Sequence, residues 1–323
     1  MDKRKRIFTN GVELSVIDKG TGPVVLLLHG FPETAYSWRH QIDPLVESGY
    51  RVIAPDLRGF GESSRPASVD AYSIAHYVGD IVGLITSTGE QSVAVIGHDW
   101  GGQCAWDLAT MRPDLVRAVM GISAPPGRGE ESFVKASEKM FDPEEGTFYL
   151  TYFQEPGVVD AEFDQDVRRT LSRMLYGLSG DNPADDVMTR FLVRPGERMI
   201  DRWEDPEELP SWLTEEDLEI YVRAYQSHGF TSGLNFYRNL DRNWEITAPF
   251  HGMRLPMPAM LLLGEHDVVL DMPGVQEALP VLSKLHANFR EPVIVQGSGH
   301  WVQQEKPDFV TGQILDFLRS IDD

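Results

Sequence analysis

The stretch Val93-Ala94-Val95-Ile96-Gly97-His98-Asp99-Trp100-Gly101-Gly102 constrains this chain more than any other. Four apolar residues, mostly β-branched, lead into Gly-x-Asp-x-Gly, and Gln103, Cys104, Ala105, Trp106, Leu108 and Ala109 then read as a helix packed closely on a sheet. This is a strand, a sharp turn and a helix with an acid at the apex. The glycines at 97 and 101 remove the Cβ atoms that would collide where strand and helix approach, so the apical residue can sit in a strained turn with its side chain exposed. A turn of that kind presents a nucleophile, and here the position holds Asp99.

Strand and helix patterns alternate on both sides of this unit. Residues 6 to 29 read as three strands, a polar-alternating pair around Asn10-Gly11 and then Pro23-Val24-Val25-Leu26-Leu27-Leu28, a continuous apolar run of the kind that a central parallel strand requires. A helix pattern follows (Tyr36, Trp38, Ile42, Leu45, Val46), then a strand at Arg51 to Pro55, a helix over 72 to 88, the strand at 92 to 98 and another at 117 to 123. That order predicts a mostly parallel sheet with helices on both faces. After Ala124-Pro125-Pro126-Gly127 no buried strand is predicted as far as about Trp244, and apolar residues recur at helical spacing (Phe163, Val167, Leu171, Leu175; Leu218, Val222, Tyr225 behind a cap-like Thr214-Glu215-Glu216-Asp217). The α/β pattern resumes at Pro258 to Gly264, passes through Val293 to Val295 and ends in a helix over Val302 to Leu318. The expected organisation is therefore an α/β core of residues 1–126 and 246–323, with 127–245 inserted as a helical cap.

Composition narrows the partners. With 50 acidic against 29 basic residues the formal net charge is −21, which repels nucleic acid and anionic membranes alike and favours a small neutral substrate. The single cysteine, Cys104, cannot form an internal disulfide and reads as a small buried filler. No signal-peptide pattern or long apolar span is present, and the expected location is cytoplasmic. No metal-ligand spacing or phosphate-binding lysine motif occurs, so neither a metal nor any other cofactor is expected. The sequence leaves the oligomeric state open, a homo-oligomer included.

Two polar groups follow directly on the strands after the insertion: Asp267 in Gly264-Glu265-His266-Asp267, and His300 in Gly297-Ser298-Gly299-His300-Trp301. Parallel strands deliver their carboxyl ends to one edge of a sheet, so residues 99, 267 and 300 should converge there. Their order, nucleophile then acid then histidine, is that of the α/β-hydrolase triad, with Asp271 as the fallback acid. An aspartate in place of serine narrows the chemistry further. A carboxylate attacking an acyl group would make a high-energy anhydride, so Asp99 should attack a saturated carbon. Water then cleaves the ester, with His300 as general base oriented by Asp267. The oxyanion formed in that step needs donors, which the backbone N–H groups of Trp100 and Phe31 are placed to supply.

His29-Gly30-Phe31-Pro32-Glu33, Asp56-Leu57-Arg58-Gly59-Phe60-Gly61, Gly97-His98-Asp99-Trp100-Gly101-Gly102 and Gly299-His300 resemble the signatures of the epoxide hydrolases of the α/β-hydrolase fold. The insertion sharpens the likeness: Phe148 to Gly157 and Gly233 to Asn239 resemble the cap of the soluble members from mammals and plants. The resemblance implies that Tyr149 and Tyr237 hydrogen-bond the epoxide oxygen, that the Phe31-Pro32 peptide is cis, and that the activity is cofactor-free hydration of an epoxide to a vicinal diol. Chemistry asks for such donors independently, because ring opening expels an alkoxide. The residues alone do not choose among 10 tyrosines, and Tyr152 is the nearest rival to Tyr149. Phe31, Trp100, Phe153 and Trp301 are the candidate substrate contacts. Leu150 departs from the glutamine of mammalian members, which bears on pocket polarity, and the amino-terminal phosphatase domain of the mammalian enzyme has no counterpart here. A haloalkane dehalogenase shares fold and nucleophile, but Phe31 offers no side-chain donor to a halide. A catalytically silent receptor on the same scaffold would be expected to have lost a member of Asp99, Asp267 and His300.

Overall fold

The computed structural model describes residues 3–139, 141–142, 144–182, 188–272, 274–286 and 288–322. Its strands are β1 (Arg4–Thr9), β2 (Val12–Lys19), β3 (Val24–Leu28), β4 (Arg51–Pro55), β5 (Val93–His98), β6 (Val116–Ile122), β7 (Thr147–Phe148), β8 (Leu192–Val193), β9 (Ala259–Gly264) and β10 (Val293–Val295). Eight of them form one sheet in the order β1-β2-β4-β3-β5-β6-β9-β10. Only β1 and β2 run antiparallel to their neighbours; every pair from β4 to β10 is parallel. This is the α/β-hydrolase architecture. The strands that read as unbroken apolar runs lie at its centre, with β3 and β5 buried along their whole length.

Alternation along each strand feeds two cores. Val25, Leu27, Ala94, Ile96, Met120 and Leu262 point into one, which α1 (Arg39–Glu47) covers, while Leu26, Leu28, Val93, Val95, Val119 and Leu261 point into the other, beneath α2 (Ile74–Thr88) and α3 (Trp100–Met111). Between β6 and β9 run the helices α4 (Phe133–Ser137), α5 (Tyr149–Tyr152), α6 (Val158–Asp164), α7 (Val167–Gly177), α8 (Glu215–Gln226), α9 (Thr231–Tyr237) and α10 (Leu240–Ile246). Their apolar faces share the second core, where Phe31, Phe60 and Trp100 meet Phe230, Phe236 and Tyr237. Helix α8 begins as its sequence requires: Thr214 accepts from the Asp217 N–H and Asp217 accepts from the Thr214 N–H, which closes a reciprocal cap. After β9 come α11 (Val268–Asp271) and α12 (Val275–Leu285), and after β10 come α13 (Val302–Glu305) and α14 (Pro307–Asp322), the last covering the first core beside α1.

Three expectations about elements need correction. The segment between β6 and β9 does contain strand: β7 and β8 pair antiparallel over two residues each, too short a run to leave a period-2 signal. The helix expected from 163 to 175 is two, because Asp166 leaves the helical conformation and caps α7 by accepting from the Arg169 N–H. The closing helix is likewise broken at Lys306, the residue before Pro307, as proline disfavours helical backbone in its predecessor.

The turn after β5 depends on the absence of side chains at two points. A Cβ on Gly97 would lie 2.0 Å from the Gly101 carbonyl oxygen, and one on Gly101 would lie 2.1 Å from that of Leu28. Gly101→Ala is therefore expected to destabilise the protein by roughly 2–4 kcal/mol, since backbone on two elements must move. Gly312→Ala, in α14 where a Cβ meets nothing within 4 Å, is expected to stabilise it by ~0.5–1 kcal/mol. Chemical denaturation of both variants checks the pair.

Candidate active site

Asp99 sits between β5 and α3 with φ 51° and ψ −121°, outside the regions open to most side chains. The turn projects its carboxylate toward the loop after β3. There the Phe31-Pro32 peptide is cis, and the Phe31 N–H donates to Asp99 Oδ1 at 2.8 Å. Trp100, whose N–H is the second expected donor, opens α3, where the first N–H groups have no partner within the helix.

Asp267 and His300 arrive from the carboxyl ends of β9 and β10. His300 Nδ1 is 3.0 Å from Asp267 Oδ1, and that oxygen also accepts from the Val269 N–H at 3.0 Å, which fixes the carboxylate at the start of α11. His300 Nε2 lies 3.7 Å from Asp99 Oδ2, beyond direct hydrogen-bond distance. Asp271 is exposed on the far end of α11, so Asp267 is the acid that meets the imidazole. Burial by itself would drive the proton off His300. The facing carboxylates of Asp267 and Asp99 outweigh it and hold the imidazole pKa well above its ordinary value. Burial would likewise raise the pKa of Asp99, but His300 and the Phe31 N–H lower it, so the carboxylate stays ionised.

A second buried network fixes the histidine loop, and sequence reasoning assigned it no role. The His300 carbonyl accepts from His98 Nε2 at 2.8 Å and from Ser123 Oγ at 2.9 Å. His98 Nδ1 donates to Glu33 Oε2 at 2.8 Å, and Glu33 Oε1 accepts from the side-chain amides of Gln303 and Gln304. Glu305 adds a clamp, taking the N–H groups of Gly180, Gly299 and Trp301. The available signal was a glutamate and a histidine beside strand ends that must be buried, since each then needs a partner.

Asp99, Trp100, Tyr149 and Tyr237 together line a cavity of about 530 Å³. The two tyrosine rings meet edge-on with centroids 6.2 Å apart. Burial and the nearby Asp99 charge raise both phenol pKa values far above the ordinary range, so both remain donors. Tyr152 is committed elsewhere, donating to Glu162. Three substrate-contact expectations need revision. Trp301 is fully buried, its indole N–H donating to the Leu175 carbonyl at 2.9 Å and its ring edge-on to His300, so it backs the histidine. Phe153 is 3% exposed and packs edge-on against both Tyr149 and Tyr237, bracing them from behind. The Phe31 ring likewise braces Tyr237, at 5.6 Å, and only its N–H reaches Asp99. Cys104 is a buried thiol on α3, as expected of a filler.

No group of three or more His, Cys, Asp or Glu among the described residues could hold a metal ion, and no helix among them is long and apolar enough to cross a membrane. The arrangement can deliver an ionised carboxylate to an electrophile while two phenols donate to whatever it expels. An imidazole then stands ready to take a proton from water.

One wall of the cavity holds a further acid. Burial pushes the Asp107 carboxyl up to about 7 against hydrogen bonds from Tyr77 and Gln103 that lower it. Between the ordinary value of 3.8 and about 7 the native state thus binds a proton that the unfolded chain has lost, so this group's contribution to stability falls as pH rises through that window. Relative to the wild type, Asp107→Asn should gain stability by up to ~4 kcal/mol across it. Denaturation midpoints of both proteins from acid to mildly alkaline pH check the trend.

A family model described as alpha/beta hydrolase fold matches residues 23–177. The chain is 42% identical to Epoxide hydrolase A of Mycobacterium tuberculosis, over 97% of this chain and 96% of the relative. It is 39% identical to Epoxide hydrolase 2 of Siraitia grosvenorii, over 97% of each. Among solved structures it is similar to Epoxide Hydrolase A from Mycobacterium thermoresistibile, with TM-score 0.92 and 43% identity over 99% of this chain and 98% of that one. An epoxide hydrolase from an endophytic Streptomyces superimposes with TM-score 0.95 at 37% identity, over 99% of this chain and 96% of the other.

Proposed function

The chain belongs to the epoxide hydrolases of the α/β-hydrolase fold, and we propose that it hydrates a small neutral epoxide to a vicinal diol in two displacements, through an ester on Asp99. The observation that carries this reading is the cavity in which an ionised aspartate, gripped by a backbone N–H, faces two protonated tyrosines. Residues 127–245 act in it as the cap that brings Tyr149 and Tyr237 over the core.

In the first step Asp99 Oδ2 attacks one epoxide carbon, the C–O bond breaks, and the departing oxygen takes a hydrogen bond or proton from Tyr149 and Tyr237. Oδ1, already bonded to the Phe31 N–H, becomes the ester carbonyl oxygen. One of the donors that must stabilise its later oxyanion, the Phe31 N–H, is therefore in place before reaction. Ester formation also removes the charge of Asp99, one of the two that hold the proton on His300. That proton can then pass to the alkoxide, or to the tyrosine that protonated it, which leaves a neutral imidazole to take a proton from water, with Asp267 holding Nδ1–H. Attack of that water on the ester carbonyl releases the diol and restores the carboxylate. The Phe31 ring packs on Phe60 and Tyr237 and offers no side-chain donor to a halide, whereas Tyr149 and Tyr237 in the cavity lining offer two to an alkoxide.

His300→Gln should let the ester form and stop its hydrolysis. Incubation with an epoxide, then peptide mass spectrometry, should find the peptide containing Asp99 heavier by the mass of the epoxide; an unmodified peptide counts against the reading. Single Tyr149→Phe and Tyr237→Phe changes should each slow ester formation by roughly tenfold to a thousandfold, measured as the pre-steady-state rate. A doubly substituted enzyme of wild-type speed would remove the tyrosines from the mechanism.

A further inference from the structure

Asp99 lines the cavity just before α3, and the face of that helix carries the lining onward. Trp100, Gln103, Trp106, Asp107 and Thr110 all line it, at helical spacing from the turn that holds Asp99. Asp107 lies eight residues beyond Asp99, about 12 Å along the helix axis. It is 92% buried, being 8% exposed, in a lining that also includes Ile74, Trp106, Thr110 and Asn243. Tyr77 donates to its Oδ2 at 2.6 Å and Gln103 donates to its Oδ1 at 3.1 Å, and both of those residues line the cavity as well. Both protein donors are neutral, and among the described residues no lysine, arginine or histidine forms an ion pair with this carboxyl. A buried carboxylate answered only by neutral groups retains much of its desolvation cost. Its two oxygens have more acceptor capacity than two bonds use.

We propose that Asp107, steadied by Tyr77 and Gln103, is a second recognition site in the substrate cavity, which takes a hydrogen-bond donor, a hydroxyl or an ammonium, at the end of the substrate remote from the epoxide ring. The proposal rests on the epoxide-hydrolysis reading of the same cavity and deepens it: the preferred substrate is bifunctional, an epoxide at one end and a donor at the other. Asp99 reacts; Asp107 selects and positions. A substrate ending in a methyl group leaves the acid unanswered and gains only apolar contact there. An ammonium supplies the missing counter-charge, and a hydroxyl supplies a third hydrogen bond without it.

The experiment is a matched series of terminal epoxides of increasing chain length, each ending in methyl, hydroxyl or ammonium. Wild-type enzyme should prefer one or both donor-ended members by roughly tenfold to a hundredfold in kcat/KM at the length that spans the two acids, the scale of a hydrogen bond to a charged group. The preference should appear mainly in KM. Asp107→Leu should bring the ratio to about one, and Asp107→Asn should lose the ammonium preference first. Binding of the corresponding diols, measured by calorimetry, should follow the same order without any turnover. Hydrolysis of the methyl-ended epoxide tests the catalytic reading separately from the subsite. Wild-type ratios near one at every length, in both kinetics and binding, or a preference that survives in both Asp107 variants, overturns the proposal. A melting curve on each variant confirms that it is folded, and Asp107→Asn, which keeps the shape and the Tyr77 bond, serves if Asp107→Leu is not.

Discussion

The structure depends on one forced conformation, that of Asp99 in the turn between β5 and α3. Its φ of 51° is unfavourable for any residue with a Cβ, and it persists because the surroundings leave no alternative. The strand behind it is fully buried, the helix ahead packs against β5 and the end of β3 without room for a methyl group at Gly97 or Gly101, and the Asp99 N–H is tied to the Ile122 carbonyl. Packing energy spread over the central strands thus holds a single carboxylate in a position it would not choose. The same parallel strands bring Asp267 and His300 to the same edge, so sheet topology and site geometry are one constraint.

Electrostatics completes what the turn begins. Two carboxylates flank His300, one at 3.0 Å and one at 3.7 Å, and both favour the charged imidazole. In the proposed route this biases the resting site toward attack, since the histidine is then a cation that supports the ionised nucleophile. It biases the esterified site toward hydrolysis, since one of those charges has gone. The Glu33–His98 pair stands apart from the reacting groups, yet it grips the His300 carbonyl. It therefore acts on the chemistry by fixing where the imidazole stands.

The central strands and the reactive turn were legible because their signals are local: β-branched runs, glycines flanking an acid, polar residues just after strands. The order of nucleophile, acid and histidine predicted a convergence at one sheet edge, where His300 lies 3.0 Å from Asp267 and 3.7 Å from Asp99. What escaped the sequence depends on which face of an element meets what. Trp301 follows His300 directly, and adjacency made it a plausible pocket wall, but the turn of the chain buries it behind the histidine. Asp107 carries no signal of its own in the sequence of α3, and only the placement of α2 beside α3 puts Tyr77 against it. The two-residue strands β7 and β8 carry no periodicity at all. Tyr149 and Tyr237 came from the family resemblance, because no spacing rule separates a phenol over a nucleophile from one packed in a core.

The central claim, that Asp99 itself donates an oxygen to the diol, is tested most directly by a single turnover with enzyme in excess over epoxide in heavy-oxygen water. Mass spectrometry then reads the diol and the peptide that contains Asp99. An ester intermediate predicts a first-turnover diol free of solvent oxygen and a label in the Asp99 carboxylate. A fully labelled diol beside an unlabelled Asp99 would mean that water attacks the epoxide directly, and would contradict it.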